Sequence, residues 1–143
     1  MGSRPKKSKK RSAAKLLERV VFFIDRSLGK HDVPSALRAA GCHCELHDEH
    51  FKQDTEDEVW LRELASRRWV VITKDEKIRY RPLELQALRS AALRVFIVIC
   101  GNLTGAATAD VILKAMPRIL ATLNSRRGPF VCHVYKDGTV KLK

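Results

Sequence analysis

The chain has 143 residues, 45% of them hydrophobic and 31% charged. That composition excludes a disordered or collagen-like chain and fits one globular domain. Lysine and arginine total 28 against 16 acids, a net charge of +12, and a field of that sign favours nucleic acid or an acidic protein as partner. The longest apolar run, residues 95–100, is far short of the ~20 residues of a membrane span, so no membrane partner is expected.

Residues 1–12 (MGSRPKKSKKRS) show no apolar periodicity and read as a solvated basic arm. Residues 1–19 carry a net +7 and the remaining chain +5. The domain boundary is therefore set at a basic, largely disordered arm and junction over 1–19, followed by one domain over 20–143. Residues 20–24 (VVFFI) are apolar throughout, as expected of a strand buried on both faces. Residues 34–40 carry Ala36, Leu37 and Ala40 at helical spacing and stop at Gly41. Residues 42–47 read as a short strand. A helix is predicted from Asp54 or Thr55, with Val59, Trp60, Leu61, Leu64 and Ala65 on its apolar side. Residues 69–73 (WVVIT) form a second buried strand, 83–93 a helix after Pro82, and 94–100 (RVFIVIC) a third buried strand. A long helix follows over 104–123, with a kink expected at Pro117. Residues 130–135 and 139–142 flank Lys136-Asp137-Gly138, and Asp-Gly is a hairpin signal.

Apolar strands alternating with helices predict an α/β domain with a mostly parallel central sheet, helices on both faces and a C-terminal β-hairpin. Cys42, Cys44, Cys100 and Cys132 lie in or beside apolar segments, and no apolar stretch follows the basic N-terminus as in a secretory signal. They read as reduced thiols in a cytoplasmic protein.

Ligands of an open parallel sheet bind outside the carboxyl ends of its strands. The residues that follow the predicted strands are Asp25, then Lys74 and Asp75, then Gly101 and Asn102. The second helix opens on Asp54-Thr55-Glu56-Asp57-Glu58, and residues 45–58 hold seven of the 16 acids. Converging carboxylates repel unless protonated or bridged by cations, and hard cations such as Mg²⁺ take oxygen ligands. An acidic metal pocket inside a basic surface suits phosphodiester hydrolysis. Helix capping and turn chemistry account for each acid taken singly. A competing zinc set, Cys42, Cys44, His47, His50, Cys132 and His133, lacks a compact ligand spacing. Trp60 and Trp69 read as core residues.

The order strand-Asp25, Asp57-Glu58-Val59-Trp60, then Trp69-Val-Val-Ile-Thr-Lys-Asp75 resembles PIN-like domains, and most nearly their VapC-type toxin branch. The stretches FFIDRSLGK (22–30), DEVWLRELASRRWVVITKDEKIRYRPLEL (57–85) and FIVICGNLTG (96–105) carry the likeness. The resemblance implies a three-layer PIN-like fold and a metal-dependent ribonuclease, the toxin of a toxin–antitoxin pair. It implies Mg²⁺ or Mn²⁺ held by Asp25, Asp57 and Asp75, with Glu58 an alternative to Asp57. Water would attack with no covalent intermediate. Lys74, Lys77, Arg79 and Arg81 would grip phosphates, and Asn102 and Thr104 would position water or phosphate. Asn102 and Thr104 stand where many PIN domains place a fourth acid. The expected partners are an RNA substrate and an antitoxin protein, and a homodimer is compatible with both. Two other readings use the same residues. One is a non-catalytic RNA-binding or regulatory module on this fold. The other, a receiver-like phospho-acceptor domain, would want an acidic pair after the first strand, whereas Asp25 stands between Ile24 and Arg26.

Overall fold

Alternation of apolar side chains along short β-branched strands sets the architecture. The computed structural model describes residues 15–76 and 93–143. The elements in chain order are β1 (Val21–Ile24), a 3-10 turn (Arg26–Leu28), α1 (Asp32–Ala39), β2 (His43–Leu46), α2 (His47–His50), α3 (Asp57–Arg67), β3 (Val70–Thr73), β4 (Arg94–Ile99), α4 (Gly105–Ser125), β5 (Phe130–Tyr135) and β6 (Val140–Leu142). In α3, the side chains of Asp57, Glu58, Leu61 and Ala65 lie outside the described residues, as do residues 83–92 of the helix expected over 83–93; Leu93 itself is not helical.

Among the described residues six strands form one sheet in the order β2-β1-β3-β4-β5-β6. Every pairing is parallel except β5 with β6, the expected terminal hairpin. Successive strand residues point to opposite faces, and the core divides accordingly. Phe22, Ile24, Val70, Ile72, Phe96 and Val98 face one layer, where they meet Val33 and Leu37 of α1 and Ile112, Ala115 and Ile119 of α4. Phe23, Val71, Val95 and Ile97 face the other, where they meet Trp60 and Leu64 of α3. Helices on both faces explain why β3 is buried at all four positions and reads as a continuous apolar run. Residues 15–19 are helical, and Leu16 and Leu17 pack against the α1–α4 layer. Packing thus begins inside the stretch assigned to the arm.

Local chemistry moves several element boundaries. The helix expected from Asp54 or Thr55 begins at Asp57. A turn over residues 52–55, closed by the Thr55 N–H donating to the Lys52 carbonyl at 3.0 Å, takes its place. Only Asp57 and Glu58 of the acidic run are helical. Val59, expected on the apolar side of α3, is 54% exposed. His47, expected to end a strand, opens the single turn of α2. Its ring is buried among those of Phe23, Phe51 and Trp60. Trp69 lies just before β3 and is half-buried, stacked 6.3 Å from Phe23. Pro117 sits inside α4 without ending it. It lies on the exposed face, where water can serve the carbonyl left without a donor. Thr104 caps α4, its hydroxyl oxygen accepting from the Ala107 N–H at 3.1 Å.

All four cysteines are free and buried. Burial pushes the Cys44 thiol up to about 12 and the Cys132 thiol up to about 11. Burial raises the Cys42 thiol as well, and all four cysteines pack as small, largely apolar groups. Among the described residues, no helix is long and apolar enough to cross a membrane.

Candidate active site

The strand order reverses at β1, which has β2 on one side and β3 on the other. Such a switch point, at the carboxyl ends of parallel strands, leaves a crevice because the connections on either side run apart. Asp25 stands there. Ile24 is in register with Ile72, and the Asp25 N–H continues the ladder by donating to the Ile72 carbonyl at 3.0 Å. The chain then leaves the sheet through the 3-10 turn that Asp25 caps. Its carboxylate is thereby set at the mouth of the crevice, partly exposed.

One oxygen of that carboxylate is fixed by a small polar network. Asp25 Oδ2 accepts from Thr73 Oγ1 at 2.8 Å, from Ser27 Oγ at 2.7 Å and, more weakly, from the Ser27 N–H at 3.4 Å. The two hydroxyls lie 3.3 Å apart. Each also accepts from the segment beyond β3: Ser27 Oγ from the Lys74 N–H and Thr73 Oγ1 from the Asp75 N–H, both at 3.0 Å. Each hydroxyl therefore donates to Asp25 and receives from the β3 exit. Hydrogen bonds to a charged acceptor are the stronger kind. No bond within the described residues falls on Oδ1.

Of the predicted residues, Asp25 joins this network through its carboxylate, and Lys74 and Asp75 through their backbone N–H groups. Asp57 and Glu58 open α3, and where their carboxylates point lies outside the described residues, as do Lys77, Arg79 and Arg81. Asn102 is exposed in a bend after β4, and Thr104 is engaged as the α4 cap. Asp32 reaches the first turn of α4 from the start of α1: a Cβ placed on Gly105 would lie 2.5 Å from Asp32 Oδ2, so a side chain there would push Asp32 aside.

Neither Ser27 nor Thr73 is among the site residues expected from the sequence, although Thr73 opens the Thr-Lys-Asp75 stretch that carries the resemblance. The only further signal was a hydroxyl at the polar end of an apolar strand, VVIT, and another two residues after Asp25. Thr73 is fully buried. Thr73→Val keeps the shape but removes one donor to a carboxylate and one acceptor of a backbone N–H. A loss of about 1–3 kcal/mol is expected, read as a lower urea midpoint with an unchanged slope. A wild-type midpoint would show that the network contributes nothing to holding β1 on β3.

Among the described residues, a set of three ligating groups comes together elsewhere, away from Asp25. Glu45, Glu49 and His50 place their ligating atoms within 4.8 Å of one another at the β2 edge. His50 Nε2 there lies 2.9 Å from Glu45 Oε2. The cysteines and His133 of the zinc alternative are not part of it.

The sequence was also compared with known proteins. The model of the family described as PIN like domain matches residues 20–99. The chain belongs to this family. The matched stretch runs from β1 through β4 and contains Asp25, Asp57, Thr73 and Asp75. A protein of Mycobacterium tuberculosis (strain ATCC 25618 / H37Rv) named "Putative ribonuclease VapC45" is 28% identical over 125 residues, 85% of this chain and 90% of its own. No solved structure matches. The expected fold is thus met in family, layer order and sheet direction.

Proposed function

We propose that this PIN-like domain is a divalent-metal-dependent endoribonuclease, the toxin of a type II toxin–antitoxin pair. The observation that carries the reading is Asp25 at the switch point, one carboxylate oxygen held by Thr73 and Ser27 and the other directed to no group of the described chain. A carboxylate fixed in this way is prepared for a cation without further ordering. The donor set fits a hard ion: Asp25, Asp75 and either Asp57 or Glu58 offer carboxylate oxygens, and no thiolate or imidazole belongs to the network. Similarity to a protein named as a ribonuclease supports the choice of RNA, and the net charge of +12 supports a polyanionic substrate.

Mg²⁺ or Mn²⁺, when bound, would supply a Lewis acid for the charge that develops on a phosphoryl oxygen and would ease deprotonation of the attacking water. The chain's own residues do the rest. Asp25 and Asp75 hold the ion. Asp57 or Glu58 holds it or orients water beside it. Thr73 and Ser27 keep Asp25 from turning away. Lys74, with Lys77, Arg79 and Arg81, draws the phosphate backbone across the crevice. Asn102 offers a neutral amide for water or phosphate, and Thr104, committed to its helix, contributes through the position of the α4 turn. The basic stretch over residues 1–12 adds backbone attraction that reads no sequence. The setting is the cytoplasm. The partner is an antitoxin protein that abolishes cleavage, for which a basic side chain placed among the carboxylates is the matching chemistry.

The test is cleavage of a structured RNA by the full chain with Mg²⁺, with Mn²⁺ and with excess chelator. Cleavage with either ion and none with chelator is expected. Chelator-resistant cleavage overturns the metal mechanism. Binding without cleavage under all three conditions favours the non-catalytic RNA-binding module.

A further inference from the structure

A second feature lies one strand away from Asp25, on the β2 side. A cavity of about 200 Å³ opens between the ends of β1 and β2, lined by Ile24, Arg26, Lys30, His47, Asp48 and Gln53 among others. Its apolar floor is the last residue of β1. Its polar groups are two cations converging on one acid. Lys30 Nζ is 2.8 Å from Asp48 Oδ2, and Arg26 Nε is 3.5 Å from Asp48 Oδ1. Arg26 is also tied to the loop before α3, its Nη1 donating to the Gln53 carbonyl at 2.8 Å. The Lys30 ammonium, with His47 and Arg26 near it, holds the Asp48 carboxyl below the usual carboxylate range, so near neutral pH the trio carries two positive charges and one negative. Lys30 is 57% exposed and Asp48 20%. Asp48 Oδ2 is buried, whereas the Lys30 end of the pair is open to water, where an ion pair gains little and a second anion can reach the ammonium.

We propose that this cavity is a backbone-phosphate subsite for single-stranded nucleic acid: Lys30 and Arg26 hold the phosphate next to the one at Asp25, and Asp48 is the internal counter-ion which that phosphate displaces. The inference rests on the ribonuclease reading and deepens it. The topology supports the placement. β1 and β2 are parallel neighbours whose last residues, Ile24 and Leu46, are in register, so a chain laid across the carboxyl ends from β3 to β2 passes from Asp25 directly over the cavity. Arg26 directly follows Asp25, so filling the subsite also fixes the bond presented to the carboxylates. Asp48 opposes loose occupation by small anions, since its charge must first be outcompeted.

The two kinds of side chain give effects of opposite sign. The experiment uses the full chain carrying Asp25→Asn, in chelator, with a fluorescent single-stranded RNA oligonucleotide and affinity measured against salt. Lys30→Gln should weaken binding about three- to tenfold and lower the salt slope by about 0.7, one phosphate contact on a single strand. Asp48→Asn should tighten binding about threefold. Lys143→Gln, beside β6 at the opposite edge of the sheet, removes the same charge far from the cavity and reports the bulk electrostatic effect alone. Lys30→Gln weakening more than Lys143→Gln, together with tightening by Asp48→Asn, supports the subsite. Equal effects of the two lysine variants, or weaker binding by Asp48→Asn in a protein with unchanged thermal midpoint, overturns it. Failure of the parent to bind the oligonucleotide at all overturns the ribonuclease reading and the subsite with it.

Discussion

Asp25→Asn is expected to reduce RNA cleavage at least about 100-fold while leaving the fold intact. The side chain keeps its size, and an amide oxygen can still accept from Thr73 and Ser27, which hold Oδ2 in the native chain. What is lost is the charge that, in the proposed mechanism, would draw a cation to Asp25. A bound metal stabilises charge in such transition states by several kcal/mol, and about 1.4 kcal/mol is a factor of ten in rate, so a 100-fold loss is the lower bound. Asp75→Asn should behave similarly. Two measurements check this together: cleavage rate against Mn²⁺ concentration, and the thermal midpoint of each variant. Full activity in either variant would remove that residue from the mechanism. A rate restored at high Mn²⁺ would show that the variant lost affinity for the ion and not the ability to position the substrate. Asp57→Asn and Glu58→Gln, compared in the same assay, decide which acid of α3 serves the site.

The strands were legible because their chemistry is local. Residues 20–24, 69–72 and 95–100 are continuous apolar runs, and a strand covered on both faces requires that pattern. Asp25 and Asp75 were legible for a related reason, since polar residues directly after buried strands fall at the carboxyl edge of the sheet. The start of α3 was not. Acids over 54–58 satisfy helix capping and turn chemistry equally well, and the turn at residues 52–55 prevailed. Val59 followed the same ambiguity: beside Trp60 it reads as core, yet α3 presents Trp60 and Leu64 to the sheet and turns Val59 outward. The clamp on Asp25 was illegible in principle. Ser27 and Thr73 stand 46 positions apart and meet only through the parallel pairing of β1 with β3. The same holds for Lys30 and Asp48, which meet because β1 and β2 end side by side.

That dependence on pairing couples stability to the site, and Trp60 is where the coupling is strongest. Its ring is 2% exposed. It stacks 5.4 Å from Phe23 of β1 and meets the edge of His47 at 5.6 Å. With Leu64 it forms the buried side of α3, the helix that opens on Asp57 and Glu58. Trp60→Ala should cost about 3–5 kcal/mol, the usual range for deleting a buried aromatic and leaving a cavity. Ring contacts of the kind made with Phe23 add to the area term. A loss of that size takes most of the stability of an ordinary domain, so the variant is expected to unfold well below the parent in both urea and heat. Val59→Ala, one residue earlier on the exposed side, should shift stability by no more than about 0.5 kcal/mol. Trp60→Phe retains a ring in the cavity and should fall between them. The deciding measurement is urea unfolding of the three variants followed by circular dichroism. A Val59→Ala loss equal to that of Trp60→Ala would mean that α3 turns its other side to the sheet.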